Sequence, residues 1–147
     1  MPNVKVTRIR KTAKTPQYMT PGASGCDAFA ALDEAMEIAI GKRAAVPTGL
    51  AFEIPVNYEI QVRPRSGLAF KKGLTVVNAP GTIDSDYRGE VMILMVNLGE
   101  EPVRIEPGDR IAQLVLQEVK QITWVEADSL ETTQRGAGGV GSTGLSN

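Results

Sequence analysis

Apolar and polar residues alternate with a period of two over much of this chain. Met36, Ile38 and Ile40 alternate with Ala35, Glu37 and Ala39, and Leu50, Phe52 and Ile54 with Ala51 and Glu53. Tyr58, Ile60 and Val62 alternate with Glu59, Gln61 and Arg63. Successive side chains of a strand point to opposite faces, so each stretch predicts a strand with one buried face. The apolar run Val91–Val96 predicts a strand buried on both faces, and Arg110–Val119 and Ile122–Val125 predict two more. Turn-forming groups separate these stretches: Pro21-Gly22, Gly41-Lys42, Pro47-Thr48-Gly49, Pro55-Val56-Asn57, Gly99 and Pro107-Gly108-Asp109. One helical turn is expected over Ser66–Lys72, ended by Gly73. Many short strands at this spacing predict an all-β sandwich, jelly roll or barrel.

The final stretch breaks the pattern. Gln134–Asn147 reads QRGAGGVGSTGLSN, with five glycines and almost no core-forming residues, so it cannot fold alone. Taken alone, it is either a disordered tail or an arm that orders on a ligand.

Composition narrows the chemistry. A length of 147 residues with 42% apolar content suits one domain with a real core. The net charge of -1 gives no broad basic surface for nucleic acid. Histidine is absent, which excludes Ser-His-Asp and Cys-His catalysis and His-ligated metals; proton transfer falls to Asp, Glu, Lys, Tyr or Cys. The single cysteine, Cys26, cannot form an intrachain disulfide and fits a reducing compartment. The first residues, MPNVKVTRIRKTAK, hold no signal-like apolar core, and no apolar run is long enough to span a membrane. A soluble, cytoplasmic protein is expected.

Five segments are richer in Gly, Ser, Asp and Arg than strand connections need: PGASGCDAFA (21–30), RPRSGLA (63–69), NAPGTIDSDYRGEV (78–91), GDRIAQL (108–114) and RGAGGVGSTG (135–144). Arg65-Ser66-Gly67 opens the predicted helical turn. A guanidinium, a hydroxyl and backbone amides there would suit a phosphate, and an N-capped surface turn would read the same way. The glycine-rich segment can wrap phosphates through successive amides, but it lacks the Lys-Ser or Lys-Thr of a Walker A loop. In the third segment, Asp84 and Asp86 share a side if the chain is extended, so one can serve as a general base; a polar hairpin with both capping turns is the structural alternative.

In this order, the five segments resemble the five motifs of the trimeric dUTPase family, over Pro21 to Gly144. The resemblance implies a jelly-roll (β-clip) subunit, with a catalytic core over 1–130 and a flexible arm over 131–147. It implies a homotrimer whose three active sites each draw on all three chains, the arm closing over a neighbouring site. The implied activity is hydrolysis of dUTP to dUMP and pyrophosphate, limiting uracil in DNA and supplying dUMP for dTMP synthesis. By position in the motifs, Asp84 is similar to the carboxylate that activates the attacking water. Asn78, Gly81, Thr82, Ile83 and Met92 lie where the family holds uracil, largely by backbone hydrogen bonds, and Tyr87 where a tyrosine packs beneath the deoxyribose. Arg65, Ser66, Gly67 and Gln113 match phosphate-binding positions, and Arg135, Gly141, Ser142 and Thr143 the arm's clamp on the γ-phosphate. Asp27 matches a supporting residue near the metal site, and Arg110 an intersite ion-pair partner. The implied cofactor is Mg²⁺, held mainly by phosphates and water, with no direct protein ligand. One position departs from the family: Val140 stands where an aromatic residue usually stacks on the base, and valine can cover the ring but cannot stack.

Two other readings compete. A dCTP deaminase relative has the same fold and similar phosphate motifs, but uses a glutamate to activate water at the base, where this chain has Asp84-Ser85-Asp86-Tyr87. A non-catalytic nucleotide-binding regulatory module would not need Asp84 and the arm together. A P-loop NTPase would need a Walker lysine and alternating strands and helices, and neither is visible.

Overall fold

The computed structural model describes residues 1–139. Among them, the order is β1 (Lys5–Arg8), β2 (Cys26–Phe29), β3 (Met36–Ile38), β4 (Arg43–Pro47), β5 (Leu50–Glu53), β6 (Tyr58–Arg63), α1 (Ser66–Lys72), β7 (Leu74–Val76), β8 (Gly81–Ile83), β9 (Met92–Asn97), β10 (Val103–Ile105) and β11 (Arg110–Glu118). A four-stranded sheet runs β2-β11-β6-β8 and a three-stranded sheet β4-β9-β7, with two-stranded ribbons β1-β5 and β10-β3. The strand pairs are antiparallel. The result is the expected all-β, jelly-roll-like architecture.

Two of the three alternating stretches fold as their pattern dictates; in the third, β3 ends at Ile38 and Ile40 lies exposed in a turn. Leu50, Phe52 and Ile54 are buried, as are Ile60 and Val62, while Glu53 and Arg63 face solvent. Ile38, Ile93, Met95, Ile105 and Ile111 join them in one core. Helix α1 ends at Gly73, whose left-handed φ of 65° a side chain would strain. Two further expectations change. Strand β9 is not buried on both faces: Ile93 and Met95 point inward, but Leu94 is 41% exposed. On the face that carries Leu94, Val96 is still buried and Met92 half-buried, so β9 is open on that side only around Leu94. Residues Ile122–Val125 form no strand, and Ile122, Trp124 and Val125 are exposed. Their apolar character suits burial, but no strand of the same chain pairs with them, so they gain no ladder.

Strand β11 carries a bulge. Its pairing with β2 slips between Arg110 and Ala112, so Ile111 is an extra residue. A bulge re-aims the side chains beside it. Here Gln113 lies opposite Asp27 on one side and Arg63 on the other.

A buried amide closes the far end of the core. Asn97 is fully buried, and its Nδ2 donates to the carbonyls of Ile38 (2.9 Å) and Glu101 (2.8 Å). Its Oδ1 accepts from the Gly99 amide at 2.9 Å. Asn97→Ala would strip partners from three backbone groups at once. We expect a loss of about 3 kcal/mol in urea denaturation, since an orphaned buried polar group costs ~1–3 kcal/mol; a loss below about 0.5 kcal/mol would mean that water replaces the side chain.

Candidate active site

The third polar segment does not close on itself; it crosses between the two larger sheets. β8 is the edge strand of the four-stranded sheet, pairing with β6 through Ile60↔Ile83, Gln61↔Thr82 and Val62↔Gly81. Among the described residues its other edge has no strand partner, so alternate N–H and C=O groups there are open to a ligand. β9 belongs to the three-stranded sheet, between β4 and β7. Where the chain passes from one to the other lies a cavity of about 290 Å³, walled by Val62 of β6, Gly81, Thr82 and Ile83 of β8, Met92 and Leu94 of β9, and by Asn78, Asp84, Tyr87, Glu90 and Val91. Asn78, Gly81, Thr82, Ile83, Asp84 and Tyr87 of this segment thus converge with Met92 on one space, whereas Asp86 does not line it. Gly81 keeps it open, because a Cβ there would sit 3.1 Å from Asn78 Nδ2 and 3.2 Å from Val62 Cβ.

The segment after β8 is a turn, not an extended strand. The Tyr87 amide donates to the Asp84 carbonyl at 3.2 Å. Asp84 and Asp86 therefore do not share a strand face: Asp84 lines the cavity and Asp86 does not. Neither carboxylate caps a turn or forms an ion pair among the described residues.

Tyr87 is held from two sides. Its hydroxyl donates to the Glu90 carbonyl at 2.9 Å, and its ring lies against Gly89, where a Cβ would come within 2.7 Å of Cζ. Glu90 is anchored in turn. Arg10 donates to it through Nε (2.6 Å to Oε1) and Nη2 (2.9 Å to Oε2), and the Gly49 amide donates to Oε1 at 3.0 Å. Sequence reading missed both residues of this pair. Glu90 sat inside the third segment unnoticed, and Arg10 lies 80 positions away with no motif to mark it.

The phosphate-type residues gather elsewhere. Asp27, 2% exposed, receives Arg110 Nη1 at 3.2 Å, Gln113 Nε2 at 3.4 Å and Arg65 Nε at 3.5 Å. Arg65 also donates to the Arg110 carbonyl at 3.0 Å. The bulge in β11 lets Arg110 and Gln113 both reach Asp27 across the β2–β11 ladder. One buried carboxylate shared by two guanidiniums leaves a surplus positive charge that suits an anion. A second cavity, of about 240 Å³, opens beside Arg65 and Arg110, lined also by Lys72, Arg104 and Asp109 and by apolar residues such as Leu74 and Ile105, but not by Asp27, Ser66, Gly67 or Gln113. Ser66 and Gly67 begin α1, whose N-cap is Arg65 and makes no side-chain capping bond, so the N-capped surface turn is not what forms. Among the described residues, no side chain lines both cavities.

Arg135 is exposed, and its Nε donates to the nearby Gly138 carbonyl at 3.0 Å. Val140, Gly141, Ser142 and Thr143 lie outside the described residues. The described residues hold no cluster of three acidic or cysteine side chains that could cage a metal ion. Asp84 is exposed at the cavity wall and forms no ion pair among the described residues. No described helix is long and apolar enough to cross a membrane.

Comparison with known proteins gives a consistent picture. The dUTPase family model matches residues 11–144. A deoxyuridine 5'-triphosphate nucleotidohydrolase from Desulfotalea psychrophila is 57% identical over 138 residues, covering 94% of this chain and 92% of its own length. One of the same name from Hydrogenobaculum is 51% identical, covering 95% and 96%. A solved dUTPase of Staphylococcus bacteriophage 80alpha, with dUpNHpp, superposes with a TM-score of 0.88 at 26% identity, covering 97% of this chain and 99% of that one.

The pair at the cavity wall has a signature in acid. The Glu90 carboxyl is held below its ordinary value of 4.5, chiefly by the hydrogen bonds from Arg10, with the Gly49 amide and the Arg10 charge adding against desolvation. A carboxylate lowered on folding stabilises fully above its unfolded value, and that contribution is lost as pH falls through the folded value. Arg10→Ala should therefore lower Tm at pH 7, with the gap from wild type closing as pH drops below about 4.5. A gap that persists in acid would assign the effect to packing of the Arg10 stem.

Proposed function

The chain belongs to the dUTPase family, and from that premise we propose that it is a dUTP diphosphatase, hydrolysing dUTP to dUMP and pyrophosphate. The observation that carries this reading is the convergence on one cavity of an unpaired carboxylate, a free strand edge and a tyrosine ring.

The free edge of β8 suits a base with a fixed donor and acceptor pattern. Uracil would pair with backbone groups of Gly81, Thr82 and Ile83, with Asn78 and Met92 closing the sides. Cytosine reverses part of that pattern and would leave buried groups orphaned, at ~1–3 kcal/mol each. The tight hairpin would also exclude thymine by its methyl group. Tyr87 would lie under the sugar, where a ribose 2′-hydroxyl has no room.

Asp84 would accept a proton from a water molecule as that water's oxygen bonds to the α-phosphorus. The bond from the α-phosphorus to the bridging oxygen breaks, and pyrophosphate leaves. Arg65, Ser66, Gly67 and Gln113 would hold the phosphate chain, with Asp27 keeping Arg65 and Gln113 in place. Mg²⁺, carried on the phosphates and water, would offset their charge and fix their geometry when bound.

The assembly proposed is a homotrimer in which phosphate-binding residues of one subunit complete the base cavity of another. The separation of the two cavities within one chain supports this, as do the exposed Ile122, Trp124 and Val125. Residues 1–130 would form the catalytic core. The arm, 131–147, would close over a neighbouring site, with Arg135, Gly141, Ser142 and Thr143 on the γ-phosphate and Val140 over the base. The enzyme would work in the cytoplasm, on a free nucleotide and not on nucleic acid or membrane.

Asp84→Asn should keep binding of a non-hydrolysable dUTP analogue while turnover falls about a thousandfold, the scale of a lost general base. Normal turnover in that variant would move the base to another group. Truncation after Thr133 should leave a folded trimer by sedimentation with severely reduced activity, and full activity there would remove the arm from the mechanism.

A further inference from the structure

Three distant parts of the chain meet behind the tyrosine. The Ile9 amide donates to the Gly49 carbonyl at 2.8 Å, which seats the N-terminal segment on the turn between β4 and β5. Gly49 has φ of 65°, and a Cβ there would stand 2.9 Å from the Arg10 Cβ. Arg10 is thus pressed against the turn and pointed at Glu90. The same turn grips the next residue of the hairpin. Thr48 Oγ1 donates to the Val91 carbonyl at 2.7 Å, and the Val91 amide donates to the Leu50 carbonyl at 2.8 Å.

Glu90 is therefore fixed through its side chain by Arg10 and Gly49, while Val91 is fixed through its backbone. Between them the Glu90 carbonyl has one orientation, and it is this carbonyl that accepts the Tyr87 hydroxyl. Tyr87 itself is 46% exposed, so little else confines its ring. Among the described residues, Gly89 lies against the ring and the Glu90 carbonyl accepts its hydroxyl, and both bear on its position.

We infer that Arg10 is a positioning residue for sugar selection: through its bidentate pair with Glu90 it fixes the Tyr87 ring, and with it the discrimination between deoxyribose and ribose triphosphates. Arg10 does not line the cavity, and it acts only through Glu90. The inference rests on the reading that the cavity takes dUTP with Tyr87 beneath the sugar.

A bidentate guanidinium resists rotation of the carboxylate in a way that a single ammonium contact does not. Losing Arg10 would leave the Gly49 amide as the hold on the Glu90 side chain and the Val91 amide's bond to Leu50 as the tether of the peptide unit that carries the Glu90 carbonyl, so the carbonyl and the ring it holds would gain freedom to tilt away from the sugar. That opens room for a 2′-hydroxyl more than it weakens binding of the deoxy substrate. The readout is a ratio of kcat/KM values, which a general loss of stability would not move.

The test is a double-mutant cycle on the dUTP to UTP ratio of kcat/KM, using the full-length protein with Mg²⁺. Arg10→Ala and Tyr87→Phe, which removes only the hydroxyl, should each lower the ratio about fivefold, the scale of one lost hydrogen bond. Combined, they should cost little more than either alone, because both break the same chain of contacts. Arg10→Lys should recover part of the ratio, and Glu90→Gln should behave as Arg10→Ala. An unchanged ratio in Arg10→Ala, or strictly multiplicative effects in the double variant, would overturn the inference even if Tm falls. Tyr87→Ala separates this failure from that of the underlying reading. A collapsed ratio there with Arg10→Ala unchanged removes Arg10 alone, whereas an unchanged ratio in Tyr87→Ala removes the sugar role of Tyr87 and the clamp together.

Discussion

The cavity exists because one short segment is tied at its two ends to different sheets. β8 is laddered to β6, and β9 to β4 and β7. The chain between them cannot collapse onto either sheet without breaking one of these ladders. This is how a loop rich in polar backbone groups stays open and still has a fixed shape. The strand edge facing the cavity is left without a partner among the described residues, a state that would be an aggregation hazard on an open surface. Here it is short, recessed between sheets and available to a ligand.

Charge is handled in the opposite way. Around Asp27, cations are concentrated on a single buried carboxylate, and the bulge in β11 makes that possible by turning Arg110 towards Asp27 while Gln113 stays in register. Asp27 limits the repulsion between Arg65 and Arg110 and confines their rotamers, so less freedom is lost when an anion arrives. The cavity beside β8 and the cavity beside Arg65 and Arg110 share no wall among the described residues.

The legibility of this molecule in its sequence follows how far an alternating pattern runs, within a strand or past its ends. Tyr58–Arg63 alternates over its whole length, and the short strands Leu50–Glu53 and Met36–Ile38 are legible because the pattern continues to Ile54 and Ile40 beyond them. β1 is exposed throughout, β2 is buried at both central positions, and the three-residue β7, β8 and β10 have no such extension. β4 was hidden because its sequence, RAAVP, offers little contrast between faces. Ile122–Val125 misled because its residues have strand character but no strand partner. For the site, adjacency in sequence was enough to gather Asn78 to Met92, since a hairpin brings near neighbours together. It could not supply Arg10, because a salt bridge across 80 positions depends on the fold and leaves no local mark.

The same long-range pairing explains how a carboxylate can remain available among arginines. A base that is salt-bridged is held in its charged form and is slow to take a proton. Two arginines lie near the hairpin, and both are committed elsewhere. Arg10 is spent on Glu90, and Arg88 Nη1 donates to the carbonyls of Ser85 at 2.7 Å and Tyr87 at 3.0 Å. The turn that follows Asp84 is therefore braced by a guanidinium that binds its backbone rather than its carboxylates. Asp84 is left facing the cavity with no protein cation attached among the described residues, and its partner there can be water.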